Sequence, residues 1–294
     1  MKHAILGAGA IGGLIGTALA SLGEDVTMVV RPERLDEYPK HLTLERPAGT
    51  ITAPARAVST LREPVDVLWI ATKTFQLQDA LRSVETTPRM IIPLLNGTDH
   101  MTTLRGRYGK DRVVAGTIAI EAERQAPGVF IQRAPVVRLN LGKAAEPLLG
   151  EIVAKLAGLG FACQFIANEQ TLLWSKLCFL GPLALVTSAS GKNKGEVWAD
   201  LQWRRKLDAA IDEACAVGRS LGAEVDGAKI RAMMEGAPAA MRSSMQKDVA
   251  AGRPLELDAI GGAIVRAAED HGIAVPVTKE LIAEIESKLV QAAS

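Results

Sequence analysis

An apolar, strand-like run near the start of the chain leads directly into a glycine-rich turn. Residues 4–13 are AILGAGAIGG, and Gly7, Gly9 and Gly12 give the spacing GxGxxG. The first glycine of this pattern permits a tight turn, the second lets the backbone approach a pyrophosphate, and the third lets a helix pack on the sheet. The predicted phosphate-binding residues are therefore Gly7, Ala8, Gly9, Ala10, Ile11 and Gly12.

Two features bear on whether this turn is a real dinucleotide site. Lys2, the apolar stretch and the Ala18-Leu19-Ala20 segment also resemble a secretory signal, which is the alternative interpretation. Four glycines between positions 7 and 13 suit such a signal poorly. A second apolar run, residues 26–30, follows at the distance that a βαβ unit requires, which favours the dinucleotide turn.

The end of the second predicted strand indicates which cofactor the turn would take. Arg31 stands there, and Arg34 follows in the same polar loop. A carboxylate at this position would hold a ribose 2′-hydroxyl, whereas an arginine accommodates a 2′-phosphate. The sequence thus favours NADP over NAD, with a pair of solvated surface arginines as the alternative.

Composition limits the classes of protein that this chain can belong to. A length of 294 residues predicts two domains, and 34 basic against 33 acidic residues give no charge excess for nucleic acid. Three cysteines without CxxC spacing and four scattered histidines predict reduced thiols, no metal site and a cytoplasmic protein. Residues 177–189 are apolar but interrupted by Pro182, which predicts a buried helix and not a membrane span.

The chain divides by pattern into two halves. Short β-rich runs at residues 65–70, 90–95 and 113–118 alternate with helical segments, which predicts a mostly parallel sheet. Residues 129–131 and 136–141 are expected to form an antiparallel hairpin. After Ala167 helical periodicity takes over, beginning with Asn168 as a helix cap.

The predicted fold class is therefore α/β, with a Rossmann-type dinucleotide-binding domain followed by an all-helical C-terminal domain. The expected boundaries are residues 1–167 for the NADP-binding domain and 168–294 for the helical substrate and dimerisation domain. The pair Gly261-Gly262 on a helical face permits close helix contact within the chain or in a homodimer. Ligands are expected at the carboxyl ends of the strands.

Lys176 lies in an otherwise apolar helical segment, LLWSKLCFL, at residues 172–180. Desolvation would disfavour its ammonium form and a nearby carboxylate would restore it, a balance that suits a proton donor near neutral pH. The alternative is a lysine at a helix edge that extends its charge into water.

Four further polar positions occur where chemistry is possible. Lys73 and Asn96 each follow a predicted buried strand, where open α/β sheets present ligand-binding groups, although each could equally belong to an ordinary loop or turn. Ser244 and Glu256 flank a Gly252-Arg253-Pro254 break. The structural alternatives are a polar helix face for Ser244 and a favourable helix-dipole contact for Glu256.

Taken together, these segments resemble the ketopantoate reductase (2-dehydropantoate 2-reductase) family from end to end. The matching pieces are GAGAIGG at residues 7–13, Arg31, TKT at 72–74, LNG at 95–97, WSKL at 174–177, SSM at 243–245 with Asp248, and GRPLELD at 252–258. The resemblance implies an NADPH-dependent reduction of a small 2-oxo acid to a 2-hydroxy acid. By default this is 2-dehydropantoate to pantoate, in pantothenate biosynthesis.

The resemblance also implies roles for individual residues. Lys176 is expected to donate a proton to the ketone oxygen and to bind substrate, and Ser244 is expected to bind substrate. Asn96 would contact cofactor and substrate, and Lys73 would line the NADP site. Glu256 would contact the cofactor and, lying near the reaction centre, would act with Lys176 as a catalytic residue. No nucleic acid, membrane or metal partner is expected.

The chain departs from the family at two positions of the helix that carries Lys176. Leu180 and Ala184 stand where the family has substrate-binding asparagines, so both are expected to present an apolar surface to the substrate. A D-2-hydroxyacid dehydrogenase acting on a more apolar 2-oxo acid is therefore one alternative. Others are a 3-hydroxyacid or opine dehydrogenase and a non-enzymatic NADPH sensor. Asn193 is a further candidate for a substrate asparagine.

Overall fold

The computed structural model describes residues 1–293, which divide into two compact units. The first unit comprises Met1–Leu95 and His100–Ala167, and the second comprises Asn96–Asp99 and the chain from Asn168 onward. The predicted boundary at residue 167 differs from this division at Asn96–Asp99. These four residues belong with the second unit because their contacts, described below, are made with its helices.

The first unit is built on a five-stranded parallel sheet in the order β5-β2-β1-β6-β7. The strands are β1 (Lys2–Leu6), β2 (Asp25–Val29), β5 (Arg56–Val58), β6 (Val67–Ile70) and β7 (Met90–Pro93). In the central strands Leu6 lies opposite both Val29 and Ile70. Both faces of these strands are buried, which explains their almost continuous apolar sequence.

Two smaller sheets complete the strands of this unit. One has the order β4-β3-β10-β9 and the other β12-β11-β8. Their strands are β3 (His41–Glu45), β4 (Ile51–Pro54), β8 (Gly116–Ala119), β9 (Ala122–Ala126), β10 (Val129–Gln132), β11 (Val137–Gly142) and β12 (Phe161–Ile166).

The predicted hairpin between residues 129–131 and 136–141 is wrong. β10 pairs with β9 and β3, whereas β11 pairs with β8 and β12, so the two strands belong to different sheets. The hairpin partner of β10 is the polar strand β9, joined to it by Pro127-Gly128. Its sequence AERQA lacks apolar alternation, and for that reason the pattern did not indicate a strand.

Four helices accompany these sheets: α1 (Ala10–Ser21), α2 (Leu77–Leu81), α3 (His100–Tyr108) and α4 (Glu146–Ala157). Helix α1 is buried over most of its length because its small residues allow close packing on the strands. Helix α1 packs against Phe130 of β10, whose ring occupies the space that a side chain at Gly13 would need.

The second unit is helical, as predicted. Its helices are α5 (Glu169–Ser190), α6 (Lys194–Ala199), α7 (Leu201–Ser220), α8 (Gly227–Gly236), α9 (Ser244–Ala250), α10 (Ala263–Asp270) and α11 (Pro276–Ala293). A π-helical turn, Asp258–Gly262, directly precedes α10. The all-helical C-terminal part and the Rossmann-like N-terminal part confirm the predicted fold class.

Helix α5 is the central element of the second unit. Asn168 caps it as predicted, since its side-chain oxygen accepts a hydrogen bond from the Thr171 N–H at 3.0 Å. The helix is long and apolar enough to cross a membrane by length and composition, but 78% of its most apolar window is buried inside the protein. It packs against α7 and α11, which confirms the predicted buried helix.

The glycine pair of the second unit is used inside the chain. A side chain at Gly261 would meet Ile282 of α11 and Leu185 of α5, so this glycine lets three helical segments approach each other. Gly262 makes room for the ion pair between Asp258 and Arg266. The pair therefore gives no argument for contact between chains, and the homodimer stays a prediction.

Candidate active site

The glycine-rich turn has the geometry that a dinucleotide phosphate needs. Gly7 has a φ of 103°, and a Cβ there would come within 2.8 Å of the Ala71 carbonyl carbon at the end of β6. A Cβ at Gly12 would overlap the Gly7 carbonyl oxygen. Gly9 precedes α1 without any side-chain cap and has open space where its Cβ would lie, so the first N–H groups of α1 fit a pyrophosphate.

The two arginines after β2 differ in what holds them. Arg34 donates a hydrogen bond to Glu37 at 2.9 Å, whereas Arg31 is exposed and pairs with no acidic residue among residues 1–293. A guanidinium without an intramolecular anion fits a phosphate better than one that already has a partner. Of the two arginines, Arg31 is thus the better candidate for the 2′-phosphate.

Two more basic residues lie close to the turn. Lys73 follows β6 by three residues and precedes a short 3₁₀ turn, Thr74–Gln76, on the strand end that packs against Gly7. Arg124 of β9 places its Nη1 atom 3.5 Å from the Ala8 carbonyl oxygen. Sequence reasoning missed Arg124, because it lies on the strand whose polar sequence concealed it.

Lys176 lies in the middle of α5 between the buried residues Trp174 and Leu177. Burial lowers the pKa of its ammonium group to about 8, and the nearby carboxylate of Glu256 opposes that fall. The structure thus provides the carboxylate partner that a lysine in such a segment needs.

Glu256 and Asn96 join Lys176 in the second unit, although they are far apart in sequence. Glu256 is buried, with 5% of its surface exposed, just before the π-helical turn. The Asn96 side-chain amide donates a hydrogen bond to the Glu256 carboxylate at 3.1 Å. Tertiary structure therefore assembles an amide, a carboxylate and an ammonium group into one polar cluster.

The two neighbouring serines before and in α9 have different environments. Ser244 is exposed in the first turn of the helix. Ser243 is buried, accepts a hydrogen bond from the Gln246 N–H at 3.0 Å, and shares a hydrogen bond of 3.0 Å with the Thr187 hydroxyl of α5. Ser243, which the sequence did not single out, therefore fixes α9 to α5, while Ser244 is the serine that solvent can reach.

Asn193 caps α6. Its side-chain oxygen accepts the Glu196 N–H at 2.9 Å, and the Glu196 carboxylate accepts the Asn193 N–H at 2.7 Å. This reciprocal capping box gives the asparagine a structural purpose that does not involve a substrate.

Leu180 and Ala184 follow Lys176 at intervals of one turn on α5, but they are not equally accessible. Leu180 is partly exposed, whereas Ala184 has no exposed surface. The expectation that both face a common pocket with Lys176 needs correction, because Ala184 packs into the core of the second unit. Of these two residues, Leu180 is the one that can present an apolar surface to a ligand.

The structure shows no cluster of three or more metal-ligating side chains anywhere in residues 1–293.

Cys178 and Cys215 lie together in the core of the second unit and are both free thiols. The pair was not foreseen from sequence, since α5 and α7 contribute one cysteine each.

Comparison with known proteins identifies the family. The profile described as "Ketopantoate reductase PanE/ApbA" matches residues 3–146, and its C-terminal counterpart matches residues 168–288. The chain belongs to the ketopantoate reductase family. It is similar to 2-dehydropantoate 2-reductase of Caulobacter vibrioides, at 31% identity over 95% of this chain and 96% of that protein. This membership confirms the resemblance seen in sequence.

Solved structures confirm the same fold for this ketopantoate reductase family member. A ketopantoate reductase from Ralstonia eutropha JMP134 matches with a TM-score of 0.87 and 24% identity over the whole of both chains. A D-mandelate dehydrogenase, solved with NADH and anilino(oxo)acetate, matches with a TM-score of 0.88 and 23% identity, also over the whole of both chains. The chain is an oxidoreductase, its family acts on a small keto acid, and NADP is the family's cofactor.

Proposed function

We propose that this chain reduces a 2-oxo acid to a 2-hydroxy acid with NADPH, with 2-dehydropantoate as the default substrate. The observation that carries the proposal is the cluster of Lys176, Glu256 and Asn96. Its lysine has a pKa lowered to about 8 beside a buried carboxylate. A cationic proton donor of this kind is what carbonyl reduction needs from the protein.

Lys176 supplies the proton of the proposed reaction. A pKa of about 8 leaves the ammonium group mostly protonated at neutral pH, yet lets it release a proton more readily than an ordinary lysine. When bound, NADPH supplies the hydride for the carbonyl carbon. Lys176 transfers a proton from Nζ to the ketone oxygen, stabilises the negative charge that develops there, and takes a proton back from water afterwards.

Glu256 and Asn96 set the charge and geometry of the proton donor. The buried Glu256 carboxylate keeps the lysine cationic at neutral pH, since it opposes the effect of burial. The hydrogen bond from the Asn96 amide fixes the orientation of that carboxylate. Ser244, which is exposed, is proposed to contact the substrate as the family resemblance implies.

The first unit would hold the phosphates of NADPH. The N–H groups of the turn from Gly7 to Gly12 and the start of α1 suit the pyrophosphate, and Lys73 adds a positive charge near them. The exposed guanidinium of Arg31 suits the 2′-phosphate, which supports a preference for NADPH over NADH.

A second candidate function is that of a D-2-hydroxyacid dehydrogenase acting on a more apolar 2-oxo acid. The specific observation is Leu180, which is partly exposed one turn from Lys176 and cannot hydrogen bond a substrate hydroxyl. The similarity to a D-mandelate dehydrogenase establishes only a common fold.

Initial-rate measurements with a panel of 2-oxo acids test the proposal. The panel contains 2-dehydropantoate, 2-oxoisovalerate and benzoylformate, each with NADPH and with NADH, and the Lys176→Ala variant is the control. Turnover of at least one acid that Lys176→Ala loses supports the proposal. Tight NADPH binding without turnover of any acid would indicate a sensor, and undiminished turnover by Lys176→Ala would indicate another type of dehydrogenase.

A further inference from the structure

The segment Asn96–Asp99, here called the Asn96 loop, lies directly against the π-helical turn that follows Glu256. Gly97 has a φ of 77°, and a Cβ at this position would overlap the Ala259 carbonyl oxygen. Only glycine combines that backbone conformation with so close an approach. The loop that carries Asn96 is therefore seated on the same segment that carries Glu256.

A single guanidinium group joins the loop to the turn. Arg266 of α10 donates from Nε and Nη2 to one carboxylate oxygen of Asp99, at 2.9 and 2.7 Å. The same group donates from Nη1 to the Asp258 carboxylate at 2.6 Å and from Nη2 to the Asp258 carbonyl oxygen at 3.0 Å. Arg266 thus connects the last residue of the Asn96 loop with the first residue of the π-helical turn.

The backbone makes space for this contact. A Cβ at Gly262 would come within 2.6 Å of the Asp258 carboxylate and 2.9 Å of the Arg266 guanidinium. The absence of a side chain at Gly262 therefore allows the Arg266 guanidinium to contact the Asp258 carboxylate. Gly97, Gly262 and the π-helical turn thus all lie where the Asn96 loop meets the helices of the second unit. Such π-helical turns often occur at functional sites.

Global stability does not explain this arrangement. The Arg266, Asp99 and Asp258 side chains are 46%, 51% and 85% exposed. Ion pairs with such exposure typically contribute little to the free energy of folding. A planar guanidinium with several donors is, however, well suited to fixing the relative positions of two carboxylates.

We propose that Arg266 is a positioning residue for the proposed reduction. By holding Asp99 against Asp258, it keeps the Asn96 loop seated on the π-helical turn, and so keeps the Asn96 amide on the carboxylate that controls Lys176. The effect of Arg266 on catalysis rests on the proposed function, whereas the effect of Arg266 on the position of the Asn96 loop does not. A displacement of about 1 Å in a positioning group can cost on the order of a hundredfold in rate.

Arg266→Met and Asp99→Ala test this role, with Arg231→Met as the matched control. Arg231 is another arginine of the second unit, and it donates from both terminal nitrogens to an exposed aspartate, Asp212. Backbone amide hydrogen exchange across residues 96–101 is expected to become at least about tenfold faster in both test variants. In Arg231→Met the exchange rate of these amides should equal that of the wild type. The melting temperatures of all three variants should also equal that of the wild type.

Kinetics give the second readout. We expect Arg266→Met and Asp99→Ala each to lower kcat for the best 2-oxo acid about 10- to 100-fold with KM for NADPH unchanged. The double variant should be no worse than the more impaired single one, because each single variant already removes the contact between Arg266 and Asp99. Arg266→Lys should recover only part of the rate, since an ammonium group cannot bridge both carboxylates in the same way.

The two readouts separate this inference from the proposed function. If the wild-type protein reduces no 2-oxo acid, the proposed function fails, and unchanged exchange in Arg266→Met would then overturn the loop contact as well. If the wild type is active and Arg266→Met keeps kcat within twofold, the positioning role is overturned. Equal losses in Arg231→Met would likewise contradict it, because they would reflect general destabilisation.

Discussion

Burial lowers the pKa of Lys176 to about 8, and the carboxylate of Glu256, on a separate segment of the second unit, limits that fall. The two residues are thus coupled through their charges. Because α5 carries one and the segment before the π-helical turn carries the other, the protonation state of the lysine depends on how these two elements pack. This relationship leads to the first prediction.

Replacement of Lys176 by alanine should abolish catalysis without abolishing cofactor binding. Loss of a positioned general acid commonly costs about 10²–10⁴-fold in rate. We expect that range of decrease in kcat, together with an NADPH dissociation constant within about threefold of the wild type by fluorescence titration. A variant with nearly normal kcat would show that Lys176 is not the proton donor.

The pH dependence of reduction should report the same group. Since the donor must be protonated, kcat is expected to fall as pH rises through about 8. Glu256→Gln removes the charge that raises the pKa of Lys176, so the decline should begin at a lower pH in that variant. A profile that is identical in both proteins would contradict the coupling between Glu256 and Lys176.

Cofactor preference should depend on Arg31 and not on Arg34. Hydrogen bonds to charged groups contribute about 1.5–3 kcal/mol, so Arg31→Ala should raise KM for NADPH roughly 10- to 100-fold and leave KM for NADH nearly unchanged. Arg34→Ala is the matched control, because Arg34 already pairs with Glu37. Equal or better use of NADH by the unmodified protein would refute the proposed preference.

Substrate choice should depend on Leu180. A substrate hydroxyl buried against its side chain without a partner would cost about 1–3 kcal/mol. Under the second candidate function, kcat/KM should therefore favour 2-oxoisovalerate over 2-dehydropantoate, whereas the default function predicts the opposite order. Leu180→Asn should shift the ratio towards 2-dehydropantoate at least about fivefold, whereas Leu180→Met should not. If the wild type prefers 2-dehydropantoate by about a hundredfold or more, other groups hold the hydroxyl and the apolar surface is irrelevant.

Acid should destabilise the first unit through His3. This buried histidine of β1 accepts a hydrogen bond from the Trp69 indole at 3.2 Å, and burial lowers its pKa to about 4. Because the unfolded chain takes up a proton near pH 6.5 and the folded one does not, stability falls as pH drops from about 6.5 to 4. The contribution lost by pH 5 is about 2 kcal/mol.

Chemical denaturation at pH 7 and pH 5, with His3→Gln as the control, measures this contribution. The glutamine carbonyl can still accept the Trp69 hydrogen bond but does not titrate. The loss of stability between the two pH values should therefore be smaller in His3→Gln than in the wild type. Equal losses in both proteins would assign the acid sensitivity to other groups.

Several features of this protein were determined by local sequence. The GxGxxG turn after β1, the cap of α5 at Asn168 and the helical second half follow from glycine spacing, capping and periodicity, which act over a few residues. Family membership also followed from sequence, because the short motifs occur together in a characteristic order. Each of these signals is carried by residues that are neighbours in the chain.

Tertiary structure decided what depends on distant residues. Which strand pairs with β10, whether Gly261 packs within the chain, and whether Ser243 or Ser244 is buried all depend on neighbours supplied by other segments. The hydrogen bond from Asn96 to Glu256 spans 160 positions. Periodicity carries no information on such contacts, since it records only which face of an element is apolar. What meets that face is fixed by packing.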